Sequence, residues 1–377
     1  MDKRFVIYTA LAGTVGLLSV SSCVKVETDG RAAPANPIAF EVVKDHVRRS
    51  AAPSTKAVIE YGKNKTFISS AFLLPEGQSW DDSDAGNNPY RNSAEVYINE
   101  AEISCVGANP DGTGGVWKDK DNIYYWPVTG GLTFFAYAPS DLKGNGISVS
   151  AANGVEYRGW EARNGKLSCD LMVAEPAKDR IGNTAGQYFN YGVPMLFKHK
   201  LTQVKFVAGV EREENNVWIK ELVIKNIYRE ADYVQGNSAD GTWQNRKDVD
   251  TVRLFYRENA AGAVKLSTAE TVLMPAAFPE MLMIPQNLSA NTVENENGIV
   301  REEPIIEIKY YMDVLSEPLR TATLKFSDIR SYVWAMGTKV KYSFTFGETG
   351  LPIMFNPPEV DIWSTGGEFD ITIGGDE

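Results

Sequence analysis

Apolar and polar residues alternate with a period of two in many short stretches of this chain. Tyr342, Phe344 and Phe346 are separated by single polar residues, and Ile306 and Ile308 flank a glutamate in the same way. A period of two places the apolar side chains on one face of a strand. No window of a dozen residues shows the period of an amphipathic helix. Because Gly-, Asn-, Asp- and Pro-rich turns separate these stretches, the pattern predicts an all-β chain built from β-sandwiches.

A change in the pattern also predicts the division of the chain into domains. A polar stretch, 179–187, precedes renewed alternation at Val193. We therefore expect a domain boundary near residue 195, with one domain over 50–195 and a second over 196–377. The segments 231–249 and 287–297 show no clear alternation and are predicted to be surface loops.

The N-terminus has the features of an export signal. Lys3 and Arg4 precede an apolar run over 5–20, and small residues lead to Cys23. This run is too short for a membrane-spanning helix, so residues 1–22 are predicted to be a signal peptide. A cysteine directly after small residues resembles the lipobox of bacterial lipoproteins, which implies that Cys23 is acylated and becomes the mature N-terminus. The alternative is an ordinary signal peptide followed by a chance cysteine.

A strand lies between this cysteine and a basic pair. Ile38, Phe40 and Val42 alternate with other residues and are predicted to form the buried face of a strand. Arg48 and Arg49 follow in a stretch of small residues, which is typically exposed and open to proteolysis. Cleavage there would remove residues 23–49, including the strand and the lipid anchor. The alternative is a dibasic surface loop that nothing cleaves.

Composition narrows the possible partners. The chain has 377 residues, 43% of them hydrophobic and 11% aromatic, and carries a net charge of −11. An acidic exported protein is not expected to bind nucleic acid or anionic lipid through charge. Cys105 and Cys169 could form one disulfide in an oxidising compartment, or each could be a buried thiol.

The sequence contains no motif for catalysis or for a cofactor. His46 lies in the segment that would be removed, and His199 lies between two lysines, where a structural or exposed histidine is expected. No nucleophile elbow, Cys-x-x-Cys pair or His-Glu-x-x-His motif occurs, so we expect neither an enzyme nor a metal site. The acidic stretch 81–84 lacks the spacing of a calcium loop and is interpreted as a solvated loop.

Several aromatic and strand motifs occur in a particular order. They are Ile123–Pro127 followed by 132–139, then 170–174, 193–206, 283–286, Trp334 with Gly337 and Tyr342, and 360–363. This ordered set resembles the fimbrillin family of Bacteroidales, the subunits of lipoprotein-derived type V pili and related surface lipoproteins. The resemblance implies two tandem transthyretin-like β-sandwich domains, export as a lipoprotein, trimming after arginine or lysine, and polymerisation by strand exchange.

The resemblance also implies a location and partners. The protein would reside on the outer membrane and in the cell-surface fimbrium. Its partners would be other fimbrial subunits, the membrane through the lipid anchor before trimming, and a host or bacterial surface receptor. Two other functions are retained: a non-polymerising surface lipoprotein that binds glycan or a host ligand, and a surface-attached hydrolase.

The C-terminus offers a strand that could take part in such exchange. Phe369, Ile371 and Ile373 alternate with polar residues, and Val360 and Ile362 lie upstream of two glycines. A sandwich that loses a strand exposes unpaired backbone groups and an apolar groove, which invites an added strand. Head-to-tail donation of the segment 360–373 would not close on itself and would build a filament. The alternative is that this segment is the last strand of its own domain.

The first prediction concerns the lipid anchor. Cys23→Ala should release the protein from the membrane fraction or stop its processing, because only the thiol can form the thioether to diacylglycerol. Fractionation of cells that express the wild-type and variant proteins measures this. An unchanged membrane fraction would contradict the lipobox.

Overall fold

Strands account for nearly all of the regular structure, as the alternation predicts. In this computed structural model, the described residues are 37–43, 65–81, 89–108, 114–162, 170–182, 192–274, 280–289, 302–315, 318–329, 333–347, 353–355 and 357–362. Within those ranges, helical structure is limited to the short helix α1, Pro89–Asn92, and to 3-10 turns at Ser140–Leu142, Ala260–Gly262 and Phe326–Asp328. The fold is therefore all-β.

The strands are numbered in chain order. The first ten are β1 Phe40–Val43, β2 Phe67–Leu74, β3 Glu95–Ala108, β4 Gly114–Asp119, β5 Gly131–Ala138, β6 Ile147–Ser150, β7 Gly154–Glu161, β8 Met172–Ala174, β9 Ala177–Arg180 and β10 Val193–His199. The next seven are β11 Thr202–Val210, β12 Val217–Val234, β13 Thr242–Tyr256, β14 Val264–Lys265, β15 Thr271–Val272, β16 Met281–Met283 and β17 Gln286–Asn287. The last six are β18 Ile305–Met312, β19 Arg320–Lys325, β20 Val333–Trp334, β21 Thr338–Phe346, β22 Met354–Phe355 and β23 Glu359–Ile362.

Strands from the first half of the chain form a sheet that closes on itself. The order is β2-β3-β4-β1-β10-β8-β5, and β5 pairs in turn with β2, while β9 adds to the edge of β5 beyond β8. We call this the closed sheet. All seven strands of the ring send apolar side chains into one interior cluster, which includes Ile38, Phe40, Val42, Phe67, Ile103, Trp117, Phe134, Met172 and Phe197. Burial of this cluster is the main source of stability for the closed sheet.

Strands of the second half of the chain, joined by β6 and β7, form a sandwich of two further sheets. One sheet is built around β11 and β21, which run parallel over nine residue pairs, and the other around β12 and β18. Aromatic rings fill the space between them. Phe206 stacks on Tyr342 with ring centroids 4.9 Å apart, and Tyr310 meets Phe346 edge-to-face at 5.1 Å.

The β12–β13 hairpin connects the two halves. One edge of β12 pairs first with β18 and then with β7, while β13 follows the opposite edge. At the end of β12, the buried Gln235 amide donates to the Ala174 carbonyl at 2.8 Å and its oxygen accepts from Val155 N–H at 3.2 Å. The Trp243 indole N–H donates to the Lys200 carbonyl at 2.6 Å. These bonds attach the hairpin to β7, β8 and the end of β10.

One sequence-based expectation about local structure is wrong. The segment 231–249, predicted as a surface loop, belongs mostly to β12 and β13, with only 235–241 between them. Of the aromatic motifs, 132–138 lies in β5, whereas Tyr125 makes only a single β-bridge, with Pro37. Cys105 lies on β3 opposite Trp117, and Cys169 lies outside the described residues.

The chain passes from the closed sheet to the sandwich within a few residues of the predicted boundary. β10 ends at His199 and β11 begins at Thr202. The two halves are nevertheless connected through pairing, since β7 from the first half joins β12 from the second. The boundary near residue 195 thus stays a prediction.

Candidate functional site

The strand β1 occupies a gap between β4 and β10, which we call the β1 slot. It runs parallel to β10, with Phe40 opposite Val193, and pairs with β4 only where Phe40 meets Trp117. Ile38 N–H donates to the Tyr124 carbonyl at 2.8 Å, and Val193 N–H donates to the Ala39 carbonyl at 2.7 Å. A strand of four residues thus completes the ring of the closed sheet.

The side chains of β1 enter the interior of the closed sheet. Ile38, Phe40 and Val42 are all buried. The Phe40 ring contacts two others edge-to-face, with centroids 5.9 Å from Phe67 and 5.7 Å from Phe134. Such aromatic pairs contribute about 0.5–1.5 kcal/mol each beyond the burial of their area. Loss of β1 would therefore open an apolar groove and remove the partner of the buried Val193 N–H.

The described chain places part of the predicted donor segment in its own sheet. β22 and β23 both run antiparallel to β21, and Val360 lies opposite Val340. Glu359 accepts from the Lys341 ammonium at 2.8 Å, and this hydrogen bond, aided by Glu270, raises the pKa of Lys341. Val360 and Ile362 thus form an edge strand, whereas Phe369, Ile371 and Ile373 lie outside the described residues.

The remaining predicted site residues, Cys23, Arg48 and Arg49, also lie outside the described residues. The basic pair follows the last residue of β1, Val43, by five and six positions. Sequence analysis did not identify Trp117, Tyr124 or Val193 as the walls of the slot. Local alternation indicates which residues form strands but does not reveal which segments of the chain lie beside one another.

His199 and Asp81, two polar residues considered in the sequence analysis, both contact other side chains of the fold. The His199 Nδ1 lies 2.7 Å from the Asp170 carboxylate, and both side chains are buried, so this pair links the start of β8 to the end of β10. Asp81 accepts from the Lys178 ammonium at 2.8 Å and from the Asn237 amide at 2.6 Å, while residues 82–84 lie outside the described ranges.

The described residues lack two other features. They contain no group of three or more His, Cys, Asp or Glu side chains arranged to hold a metal ion. No helix among them is long and apolar enough to cross a membrane.

The second prediction tests how much β1 contributes to the precursor. Phe40→Ala should lower its free energy of unfolding by about 3–5 kcal/mol, because the truncation leaves a cavity beside Phe67 and Phe134. Lys118→Ala, on the exposed face of β4, is the control and should change it by less than about 0.5 kcal/mol. Urea denaturation measures both. Equal effects of the two substitutions would mean that β1 is not part of the core.

Solved structures and a family model are similar to this chain. The structure of a fimbrial protein from Bacteroides vulgatus shares the fold, with a TM-score of 0.58, 16% identity, and coverage of 87% of this chain and 99% of that chain. The C-terminally truncated tip fimbrial protein Mfa3 from Porphyromonas gingivalis gives a TM-score of 0.39 at 10% identity, with 79% and 94% of the two chains covered. No curated protein matches the chain. A family model described as fimbrillin-like matches residues 82–360, and the chain therefore belongs to the fimbrillin-like family.

Proposed function

We propose that this member of the fimbrillin-like family is a fimbrial subunit or adhesin that assembles by strand exchange. The observation that carries the proposal is the position of β1. It is a short strand with buried side chains, it completes the closed sheet, and a basic pair follows it in the sequence. A strand in this position can be exchanged for one from another subunit without altering the connectivity of the rest of the chain.

Export and trimming are the first steps of the proposal. The signal peptide, residues 1–22, directs export, and acylation of Cys23 attaches the precursor to the outer membrane. Cleavage after Arg49, or after Arg48, then detaches residues 23–49. Since this segment contains both Cys23 and β1, one cut releases the subunit from its anchor and opens the β1 slot.

Donation of a C-terminal strand is the second step. The open slot removes the partner of the buried Val193 N–H, and an unpaired buried group costs about 1–3 kcal/mol. Phe369, Ile371 and Ile373 have the two-residue spacing of Ile38, Phe40 and Val42. Because β23 pairs with β21 up to Ile362, the exchanged part begins after that residue. Val360 and Ile362 stay in the sheet of their own subunit, and we call them the base of the donor segment.

The same proposal includes two transthyretin-like sandwiches in tandem, over residues 50–195 and 196–377. Two features support this organisation. β10 belongs to the closed sheet and β11 to the sandwich of the second half, and only Lys200 and Leu201 separate these strands. Pairing of β7 with β12 would then hold the two units against each other.

The third prediction concerns trimming. Arg48→Ala combined with Arg49→Ala should keep β1 in its slot, so the protein should remain a monomer at least as stable as the mature form. Lys44→Ala, in the same stretch, is the control and should be processed normally. N-terminal sequencing of surface protein, with size-exclusion chromatography, provides the measurement. A wild-type protein that begins at Cys23, with no shorter species, would rule out the cut.

The fourth prediction separates donation from folding. Ile371→Asp should abolish filaments and leave the melting temperature of the monomer unchanged, because an unpaired carboxylate in the apolar slot costs several kcal/mol. Thr372→Asp adds the same charge at an outward position and should still assemble. Electron microscopy and thermal unfolding provide the two readouts. If Ile371→Asp instead destabilises the monomer, the segment completes its own domain. Filaments that persist would exclude this strand as the donor, whereas a wild-type protein that forms no filaments would favour a non-polymerising surface lipoprotein.

A further inference from the structure

Apolar side chains are exposed where β1 enters its slot. The loop after β4 presents Val128, Ile123 and Tyr125 to solvent, and Val128 is 97% and Ile123 65% exposed. The same loop contacts the start of the strand, since Pro37 bridges Tyr125 and Ile38 N–H donates to the Tyr124 carbonyl. An exposed apolar surface at such a position is typical of a protein contact site.

A fourth exposed apolar side chain, that of Ile181, lies beside this loop. Trp126 is buried and packs against Phe134 with ring centroids 5.8 Å apart, which anchors the loop to the interior. Gly182 lies against the Trp126 ring so closely that an added Cβ would be 1.9 Å from the indole. Its neighbour Ile181 is 57% exposed. We call Ile123, Tyr125, Val128 and Ile181 the apolar rim.

The surface near the other end of the slot carries charged side chains instead. β10 continues there to Lys198, whose ammonium lies 2.8 Å from Glu175 and 3.4 Å from Asp240. Burial alone would lower the pKa of Lys198, but the hydrogen bonds and charges of these two carboxylates raise it. The slot therefore has an apolar end, at the start of β1, and a charged end, beyond the point where β1 stops.

The base of the donor segment also exposes an apolar side chain. Val360 on the edge strand β23 is solvent-exposed, and we call the exposed surface of β23 at this residue the donor edge. Six residues, 363–368, separate Ile362 from Phe369. Fully extended, they span roughly 20 Å. If Phe369–Ile373 fills the slot of a neighbour, the donor edge must therefore lie close to one end of that slot.

We propose that the apolar rim binds the donor edge of a second copy of this chain. The inference rests on strand exchange and adds the surface on which the donor subunit sits. It also assigns the direction in which the donor strand runs through the slot. The residues that precede Phe369 leave the slot at its apolar end, so the donor runs in the direction of β1, parallel to β10. Burial of both apolar surfaces strengthens the joint between subunits beyond the exchanged strand itself.

Val128→Asp tests the contact. The side chain is almost fully exposed, so the melting temperature of the precursor should not change. In filaments the carboxylate would be buried against apolar side chains, and the concentration required for assembly of the mature protein should rise about tenfold or more. Val314→Asp, at a valine 57% exposed in the turn after β18, is the control and should assemble as the wild type does.

A second substitution in the same chain tests the identity of the partner surface. Val360→Lys places a cation on the donor edge and should restore much of the assembly lost in Val128→Asp. Normal assembly of Val128→Asp, or equal loss in Val314→Asp, would overturn the contact. Loss without restoration by Val360→Lys would overturn the donor edge as its partner.

Binding of a synthetic peptide, residues 363–377, to the mature protein distinguishes this contact from strand exchange. The peptide lacks the donor edge, so it should bind the Val128→Asp and wild-type proteins with equal affinity in fluorescence anisotropy. A peptide that binds neither would contradict strand exchange itself. A peptide that binds the wild type but not Val128→Asp would show that the rim acts on the slot, and would overturn the rim as a separate contact.

Discussion

Closure of the sheet in the first half of the chain depends on a strand of four residues. Without β1, the facing edges of β4 and β10 lose their partner, and the interior loses Ile38, Phe40 and Val42. Unpaired strand edges pair readily with other chains, and exposed apolar interior favours the same outcome. Removal of β1 would therefore leave a strand edge and an apolar groove that favour the addition of another strand.

The walls of the slot are held by contacts that do not involve β1. Gln235 connects β7 to β8, and the Trp243 indole bonds to the carbonyl of Lys200 at the end of β10. His199, at the end of β10, and Asp170, just before β8, add a buried link between β8 and β10. Because none of these contacts involves β1, they would hold β7, β8 and β10 together in a chain that lacks it.

Alternation in the sequence predicted β1, β18 and β21 well but failed for the end of β12 and the start of β13. The reason lies in the register shifts of this hairpin, between Ile224 and Ile227 and again between Glu230 and Asp232. Each shift changes which face the following residues present, so the period of two is lost in the sequence although the strands continue. Buried aromatics such as Tyr233 and Trp243, whose rings lie 5.4 Å apart, then decide the pairing.

The sequence by itself determined the strand character of β1, the face that its apolar side chains share, and the basic pair that follows it. Only the tertiary structure decided that β4 and β10 are its neighbours, that the sheet closes around it, and that Val360 and Ile362 pair with β21. Local periodicity reports which side of a strand is buried. The choice of neighbour depends on side chains far away in the sequence, because pairing is decided by how distant strands fill one common interior.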